Sequence, residues 1–178
     1  QPLQLSNTAI QNGSLLCFGD CDAAATVNIF GGTPPFYIAF DGGTSTVLAA
    51  FDSTYTNLCA GTYAISVTDA NSCSVNASSP TSITISDPPP LTPNGSVTSD
   101  YNGEDISCFG AADGEITGAV TGGTSPYTYS LDGITYGSSA VLSGLSAGTY
   151  TVYYKDDNGC DTSETITLNN PPDLSGVI

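Results

Sequence analysis

The chain has 178 residues, 39% of them hydrophobic, which suffices for one or two domains with cores of their own. Its 17 acidic residues are opposed by a single basic residue, Lys155, so the formal net charge is −16. Nucleic acid and anionic membranes repel such a surface, and no apolar stretch reaches the ~20 residues of a transmembrane helix. We therefore expect no nucleic-acid partner and no membrane insertion.

The same composition restricts catalytic chemistry. With no His and no Arg, Ser–His and Cys–His mechanisms lack their base. A pair of carboxylates would suffice for glycoside hydrolysis, but the chain has no Trp to form a sugar platform. We predict that the chain is not an enzyme.

Short strands are predicted throughout, because apolar residues alternate with polar ones between Gly, Pro, Asn and Asp. No window carries a sustained helical period. In chain order the predicted strands are 3–10, 26–30, 36–40, 47–51, 63–67, 82–85, 96–99, 116–120, 127–131, 140–142, 150–154 and 165–168. Six or seven short strands at this spacing are typical of a β-sandwich.

The strands fall into two copies of one pattern. Residues 31–37 return as 122–128, 91 positions later, and residues 58–63 return as 145–150, 87 positions later. A Pro-Leu or Asp-Leu pair at 2–3, 90–91 and 173–174 marks the start of each copy. We predict a first repeat at 1–87, a second at 88–170, and the start of a third repeat or a linker at 171–178.

A tyrosine corner is one interpretation of the Leu58-x-x-Gly61-x-Tyr63 pattern. In such a corner the Tyr hydroxyl bonds the backbone just upstream. The alternative is an ordinary inward-facing aromatic residue of a strand.

Six cysteines without any histidine or C-x-x-C pair favour disulfides over zinc, and so an oxidising, extracellular location. Alignment of the copies equates Cys17 with Cys108 and Cys73 with Cys160. Cys21 and Cys59 align with Ala112 and Ser146, so both are absent together from the second copy. Although four cysteines in one repeat allow three pairings, we predict Cys17–Cys73, Cys21–Cys59 and Cys108–Cys160. The predicted fold is therefore all-β, with two tandem disulfide-stapled Ig-like β-sandwich repeats.

Calcium is the one candidate cofactor. If Cys17 bonds Cys73, loop oxygens of the kind that Ca²⁺ binds converge beside the disulfide in each repeat. The alternative is turn chemistry, in which such side chains cap backbone N–H groups. The candidate ligands are Asp20, Asp22, Asp69 and Asn71 in the first repeat and Asp113, Asp156 and Asn158 in the second.

The ordered motifs resemble the SprB repeat of surface adhesins of Bacteroidota. They are Cys-Phe-Gly at 17–19 and 108–110, Gly-Gly-Thr at 31–33 and 122–124, Leu-x-Ala-Gly-Thr-Tyr at 58–63 and 145–150, and Asp-x-Asn-x-Cys at 69–73 and 156–160. The resemblance implies export by the type IX secretion system, cell-surface display, and a role in adhesion or gliding motility. It also draws attention to Asp52-Ser53-Thr54, a short O-glycosylation pattern of that phylum with Ser53 as the acceptor. The second cysteine pair of repeat 1 departs from the family pattern.

These observations predict a non-catalytic repeat segment of a secreted adhesin or filament, which acts as a spacer, a binding module or both. The expected partners are neighbouring repeats of the same chain, together with surface glycans or other surface proteins. The alternative is a carbohydrate-binding module of a secreted enzyme.

Overall fold

Every regular element among the described residues is a β-strand, as the alternation predicted. The computed structural model describes residues 2–11, 15–41, 46–48, 52–75 and 82–173. The chain divides into two units, Gln1–Pro88 and Pro89–Ile178. Most of the predicted third repeat, residues 174–178, lies outside the described residues, as do residues 49–51 of the fourth predicted strand.

The first unit contains two antiparallel sheets. Their strand orders are β1-β2-β5 and β4-β3-β6-β7. The strands are β1 Gln4–Gln11, β2 Ala23–Phe30, β3 Phe36–Phe40, β4 Thr46–Leu48, β5 Asp52–Leu58, β6 Gly61–Thr68 and β7 Ser82–Ile85.

The second unit follows the same plan, but its opening strands are shorter and its last strand is longer. Its sheets have the orders β13-β10-β9, β11-β8 and β12-β14-β15. The strands are β8 Thr92–Pro93, β9 Ser96–Val97, β10 Gly114–Thr117, β11 Val120–Thr121, β12 Thr128–Ser130, β13 Val141–Leu145, β14 Gly148–Lys155 and β15 Asp161–Leu168.

Each unit has its own core, formed by the inward residues of its sheets. In β2, every second residue from Ala23 to Ile29 is buried, and Phe36 and Val67 of the opposite sheet join the same cluster. In the second unit, Ile116 and Val152 are fully buried in a separate cluster. The two units are therefore Ig-like sandwiches, in which side chains alternate between core and solvent.

Strand β5 was not predicted from the sequence. Its residues, Asp52 to Leu58, are mostly polar, so the alternation that marks a half-buried strand is hidden. The strand forms because β2 offers it a partner, and the Thr26 and Thr54 hydroxyls lie 2.9 Å apart across the pair.

The strand directions give each unit two distinct ends. The entry end, where the first strand begins, carries the turn that follows β6 in the first unit and β14 in the second. The exit end, where the last strand finishes, carries the Cys-Phe-Gly loop and the connection into β6 or β14. Strand β6 runs the full distance between the ends, and its eight residues span about 23 Å.

A tyrosine corner closes the exit end of both units. The Tyr63 hydroxyl donates to the carbonyl of Cys59 at 2.9 Å, and the Tyr150 hydroxyl donates to that of Ser146 at the same distance. The corner interpretation is thereby confirmed over the plain strand aromatic. Each bond ties the start of a long strand to the connection before it.

Replacement of either tyrosine by phenylalanine removes only this bond. We expect Tyr150→Phe to lower the free energy of unfolding of the second unit by about 1 kcal/mol, the usual worth of one such bond. Tyr63→Phe should cost the first unit less, because a disulfide also holds Cys59. Hydrogen–deuterium exchange of peptides from each unit measures both values, and an equal or larger loss for Tyr63→Phe would contradict this account.

Candidate functional site at the two ends of each repeat

A buried carboxylate organises the entry end of the first unit. Asp69 is only 4% exposed, and its Oδ1 accepts the N–H groups of Asn71 and Cys73, both at 2.9 Å. Its Oδ2 accepts the N–H of Thr33 at 3.0 Å. The Asp69 side chain therefore stabilises its own turn and also connects that turn to the β2–β3 connection. The N–H of Cys73, with those of Thr33 and Asn71, holds the pKa of Asp69 below its ordinary value, against the opposing effect of burial.

The second unit repeats this arrangement residue for residue. Asp156 Oδ1 accepts from the N–H groups of Asn158 and Cys160, both at 2.9 Å, and Oδ2 accepts from that of Thr124 at 2.9 Å. The Asn158 side-chain amide also donates to the Thr124 hydroxyl at 3.1 Å. The Asp-x-Asn-x-Cys and Gly-Gly-Thr motifs are thus two halves of one contact.

The second glycine of Gly-Gly-Thr is required by space and by backbone conformation. Gly32 has φ +67°, and a Cβ there would lie 2.8 Å from Leu3 Cδ1. Gly123 has φ +57°, and its Cβ would lie 2.6 Å from Asp156 Oδ2 and 2.7 Å from Leu91 Cδ2. A side chain would therefore displace the leucine that opens either unit and, in the second unit, the carboxylate as well.

The Cys-Phe-Gly loop forms the exit end, where it is tied to the residues that follow the last strand. In the first unit, Gly19 N–H donates to Asp87 Oδ1 at 2.9 Å. In the second, Gly110 N–H donates to Asn170 Oδ1 at 3.1 Å. Both glycines have positive φ. Phe18 and Phe109 are 58% and 60% exposed, so the same aromatic residue projects from this loop in each unit.

The structure joins Cys21 to Cys59, the pair whose two members are both missing from the second repeat. The other two predicted pairs, Cys17–Cys73 and Cys108–Cys160, are wrong. Cys73 and Cys108 are exposed free thiols, whereas Cys17 and Cys160 are disulfide-bonded.

The strand directions explain this error. Cys17 belongs to the exit-end loop that is bonded to Asp87, and Ile85 pairs with Gly61 at the start of β6. Cys73 lies beyond the other end of β6. A separation of about 20 Å is far outside the ~4.4–6.8 Å that a disulfide allows between Cα atoms. The same reasoning separates Cys108 from Cys160 in the second unit.

The predicted calcium sites are not assembled either. Asp20 and Asp22 lie at the exit end, while Asp69 and Asn71 lie at the entry end. Asp113 likewise precedes β10 at the exit end, far from Asp156 and Asn158, and hydrogen bonds from Ser107 lower its pKa. The Asp69 and Asp156 carboxylates are occupied by backbone N–H groups, so turn chemistry accounts for them. No group of three potential metal ligands occurs among the described residues.

Ser53 lies in β5 directly opposite Val27, whose side chain is fully buried. Directly opposed residues of an antiparallel pair face the same side, so the half-buried Ser53 faces inward and its exposed neighbour Thr54 faces solvent. O-linked modification of Ser53 stays a prediction.

Part of the second unit matches a known family of repeats. Residues 101–135 match the model of the SprB repeat. This part of the second unit is therefore similar to the SprB repeat. The matched segment runs from the loop before Cys108 through β10, β11 and β12, and includes both Cys-Phe-Gly and Gly-Gly-Thr. It confirms the resemblance that those motifs indicated. No curated protein matches the chain.

Solved structures similar to the chain are distant from it. One is a C-terminal fragment of intimin in complex with the translocated intimin receptor, at 15% identity and a TM-score of 0.41. This alignment covers 95% of the chain and 64% of the intimin fragment, so the chain spans less than two-thirds of that structure. Fibronectin(III)-like modules of Clostridium thermocellum CbhA match at 15% identity, with 94% of this chain and 95% of that chain covered and a TM-score of 0.32. Neither TM-score reaches 0.5, so the fold assignment rests on the strands and cores described above. Among the described residues, none forms a helix able to span a bilayer.

Sequence reasoning missed two contacts that occur in the second unit. The Lys155 ammonium lies 4.4 Å from the centre of the Tyr136 ring, a cation–π contact for the single basic residue of the chain. Glu164 accepts from the buried Tyr154 hydroxyl and from Gly95 N–H. Burial and this acidic partner raise the pKa of Tyr154. The first repeat has Val67 at the position of Tyr154, so comparison of the copies gave no signal.

The entry-end carboxylate gives a direct test. Asp156→Asn leaves one oxygen for three N–H donors, and we expect it to lower the free energy of unfolding of the second unit by about 2–3 kcal/mol. Asp157→Asn is the matched control, because the exposed Asp157 contributes only backbone to this turn. Hydrogen exchange of second-unit peptides reports the loss. Equal effects of the two variants would contradict the assigned role.

The Cys21–Cys59 disulfide is the second test. It closes a separation of 38 residues, so the chain-entropy relation gives about 4 kcal/mol of stability for the first unit. We expect the double variant Cys21→Ala/Cys59→Ala to lower the urea concentration at which the first unit unfolds and to leave that of the second unit unchanged. Hydrogen exchange of peptides from each unit, measured across a urea series, gives both midpoints. A parallel loss in both units would show that the bond acts beyond its own unit.

Proposed function

We propose that this chain is a load-bearing, non-catalytic segment of a secreted cell-surface adhesin or filament. The observation that carries the proposal is that each unit receives the chain at one end and releases it at the other. Side chains of the repeat motifs tie both ends. A unit built in this way extends an array by its own length, as a spacer must.

The strand directions also suit tension. In the first unit, β1 and β7 both run from the entry end to the exit end, and each pairs with an antiparallel neighbour. Force applied through the chain therefore slides these strands along their partners. All the hydrogen bonds of a ladder share such a load, whereas a strand peeled from its end loses its bonds one at a time.

The connection between the units is short and rich in proline. Asp87 is bonded to Gly19 of the first unit, and the Pro89 carbonyl accepts from Gly123 N–H of the second at 2.9 Å. One residue, Pro88, separates these two anchored positions. Proline restricts the backbone of such a connection, as in the semi-rigid linkers that spacers use.

The chemistry of the surface agrees with an extracellular location. A net charge of −16 keeps copies apart in solution, and the Cys21–Cys59 disulfide needs an oxidising environment. The similarity of residues 101–135 to the SprB repeat supports cell-surface display. Type IX export, a role in gliding, and surface glycans or proteins as the adhesive target belong to the proposal on the strength of that family alone.

Single-molecule pulling tests the spacer. In a background with Ser at the four cysteines other than Cys21 and Cys59, force is applied either through the two chain termini or through Ala60 and the residue after β7, which lie together at the exit end because Gly61 pairs with Ile85. The second geometry peels β7 from β6. We expect a clearly higher unfolding force for the first geometry in the first unit, because that geometry loads the ladders in shear.

Equal forces in the two geometries would contradict a load-bearing role. A glycan array probed with the same protein distinguishes the alternative. Selective binding of one sugar, together with equal pulling forces, would identify a carbohydrate-binding module instead.

A further inference from the structure

Each unit carries a free thiol, at its entry end in the first unit and at its exit end in the second. Cys73 is exposed at the entry end of the first unit, and Cys108 is exposed at the exit end of the second. A free thiol on a protein of an oxidising compartment is unusual, because the other cysteines of such proteins are paired.

Each of these free cysteines has a counterpart in the other unit that is oxidised. Cys17 is the equivalent of Cys108, Cys160 is the equivalent of Cys73, and both are disulfide-bonded. The local structure does not distinguish the two states. The N–H of Cys73 and that of Cys160 make the same 2.9 Å bond to their aspartates, and Cys17 and Cys108 begin the same loop. The free cysteines therefore occupy positions that the fold elsewhere uses for disulfides.

We propose that Cys108 and Cys73 are the two halves of a covalent joint between successive repeats. In this joint the exit-end thiol of one repeat bonds the entry-end thiol of the next. The partner is another repeat of the same kind, and a second copy of this chain supplies it in solution. The inference rests on the proposed series arrangement, because only that arrangement brings an exit end to an entry end.

An exposed aromatic side chain lies at the same end of the unit as each thiol. Phe109, next to Cys108, is 60% exposed. The entry end of the first unit has a shallow pocket lined by Pro2, Gln4, Phe30 and Gly31, and Phe30 is 53% exposed. An aromatic side chain beside one thiol and a recess bordered by an exposed phenylalanine at the opposite end are features that would bring the sulfurs together before they react.

The bond forms by two exchange steps and needs a small-molecule disulfide as oxidant. The Cys108 thiolate attacks the disulfide, which gives a mixed disulfide and releases one thiolate. The Cys73 thiolate of the next copy then attacks the Cys108 sulfur and releases the second thiolate. Two protons leave the cysteines, and the oxidant takes two electrons to become two thiols.

The test uses the purified two-repeat protein with oxidised glutathione. About 0.5 M NaCl shortens the Debye length to about 4 Å, so the charge of −16 does not hold the copies apart. We expect the wild-type protein to form a ladder of covalent oligomers on a non-reducing gel. Cys73→Ser and Cys108→Ser should each stay monomeric, and an equimolar mixture of the two should form dimers and nothing larger.

Isotope labelling of one variant measures the specificity of pairing in that mixture. Random thiol oxidation would place half of the dimers in the mixed species, whereas the proposed joint places nearly all of them there. Peptide mass spectrometry should find Cys108 linked to Cys73. Phe109→Ser should slow dimer formation, while Phe18→Ser, the equivalent change in the first unit, should not.

Several results would overturn the proposal. One is dimerisation of either single variant as fast as the mixture. Another is the loss of both thiols within a monomer. A third is the absence of a ladder although a maleimide labels both thiols. The pulling experiment does not depend on these cysteines, because they are Ser in its background, so failure of the joint and failure of the spacer are distinguished.

Discussion

The whole repeat depends on one carboxylate that is withdrawn from water and surrounded by backbone N–H groups. Asp69 and its equivalent Asp156 each accept three such bonds, and each joins the turn after β6 or β14 to the connection that crosses between the two sheets. A buried charge without partners is costly, so the fold is stable only when both connections reach it. Glycine at position 32 or 123 and leucine at 3 or 91 follow from the space that this contact leaves.

The strands could be predicted because their cause is local. Strands β3 and β7 have the bounds that alternation gave them, and β2 begins three residues earlier because Ala23 and Ala25 continue its buried face. Strand β5 could not be predicted, since its polar residues take their conformation from β2. The tyrosine corner was recognisable because Leu, Gly and Tyr hold fixed positions along one stretch of chain.

The site predictions failed where they required knowledge of which end of a strand a residue occupies. Recurrence of Cys17 and Cys73 as Cys108 and Cys160 shows that both repeats have cysteine at these two positions. It does not show that they meet within a repeat, and the length of β6 or β14 keeps them apart. The calcium hypothesis depended on the same pairing, so it failed with it. By contrast, Cys59 directly follows Leu58 and Cys21 lies two residues before Ala23, and Leu58 and Ala23 pair across β5 and β2.

The opposed ends of the unit also bear on how such a protein changes during evolution. Each unit carries both sets of end-forming residues within one stretch of about 90 codons, so duplication or loss of that stretch adds or removes a complete folded part. Recombination between similar copies can therefore lengthen or shorten the molecule without a new fold having to arise. The second cysteine pair of the first repeat shows that individual copies then diverge, each one free to acquire its own reinforcement.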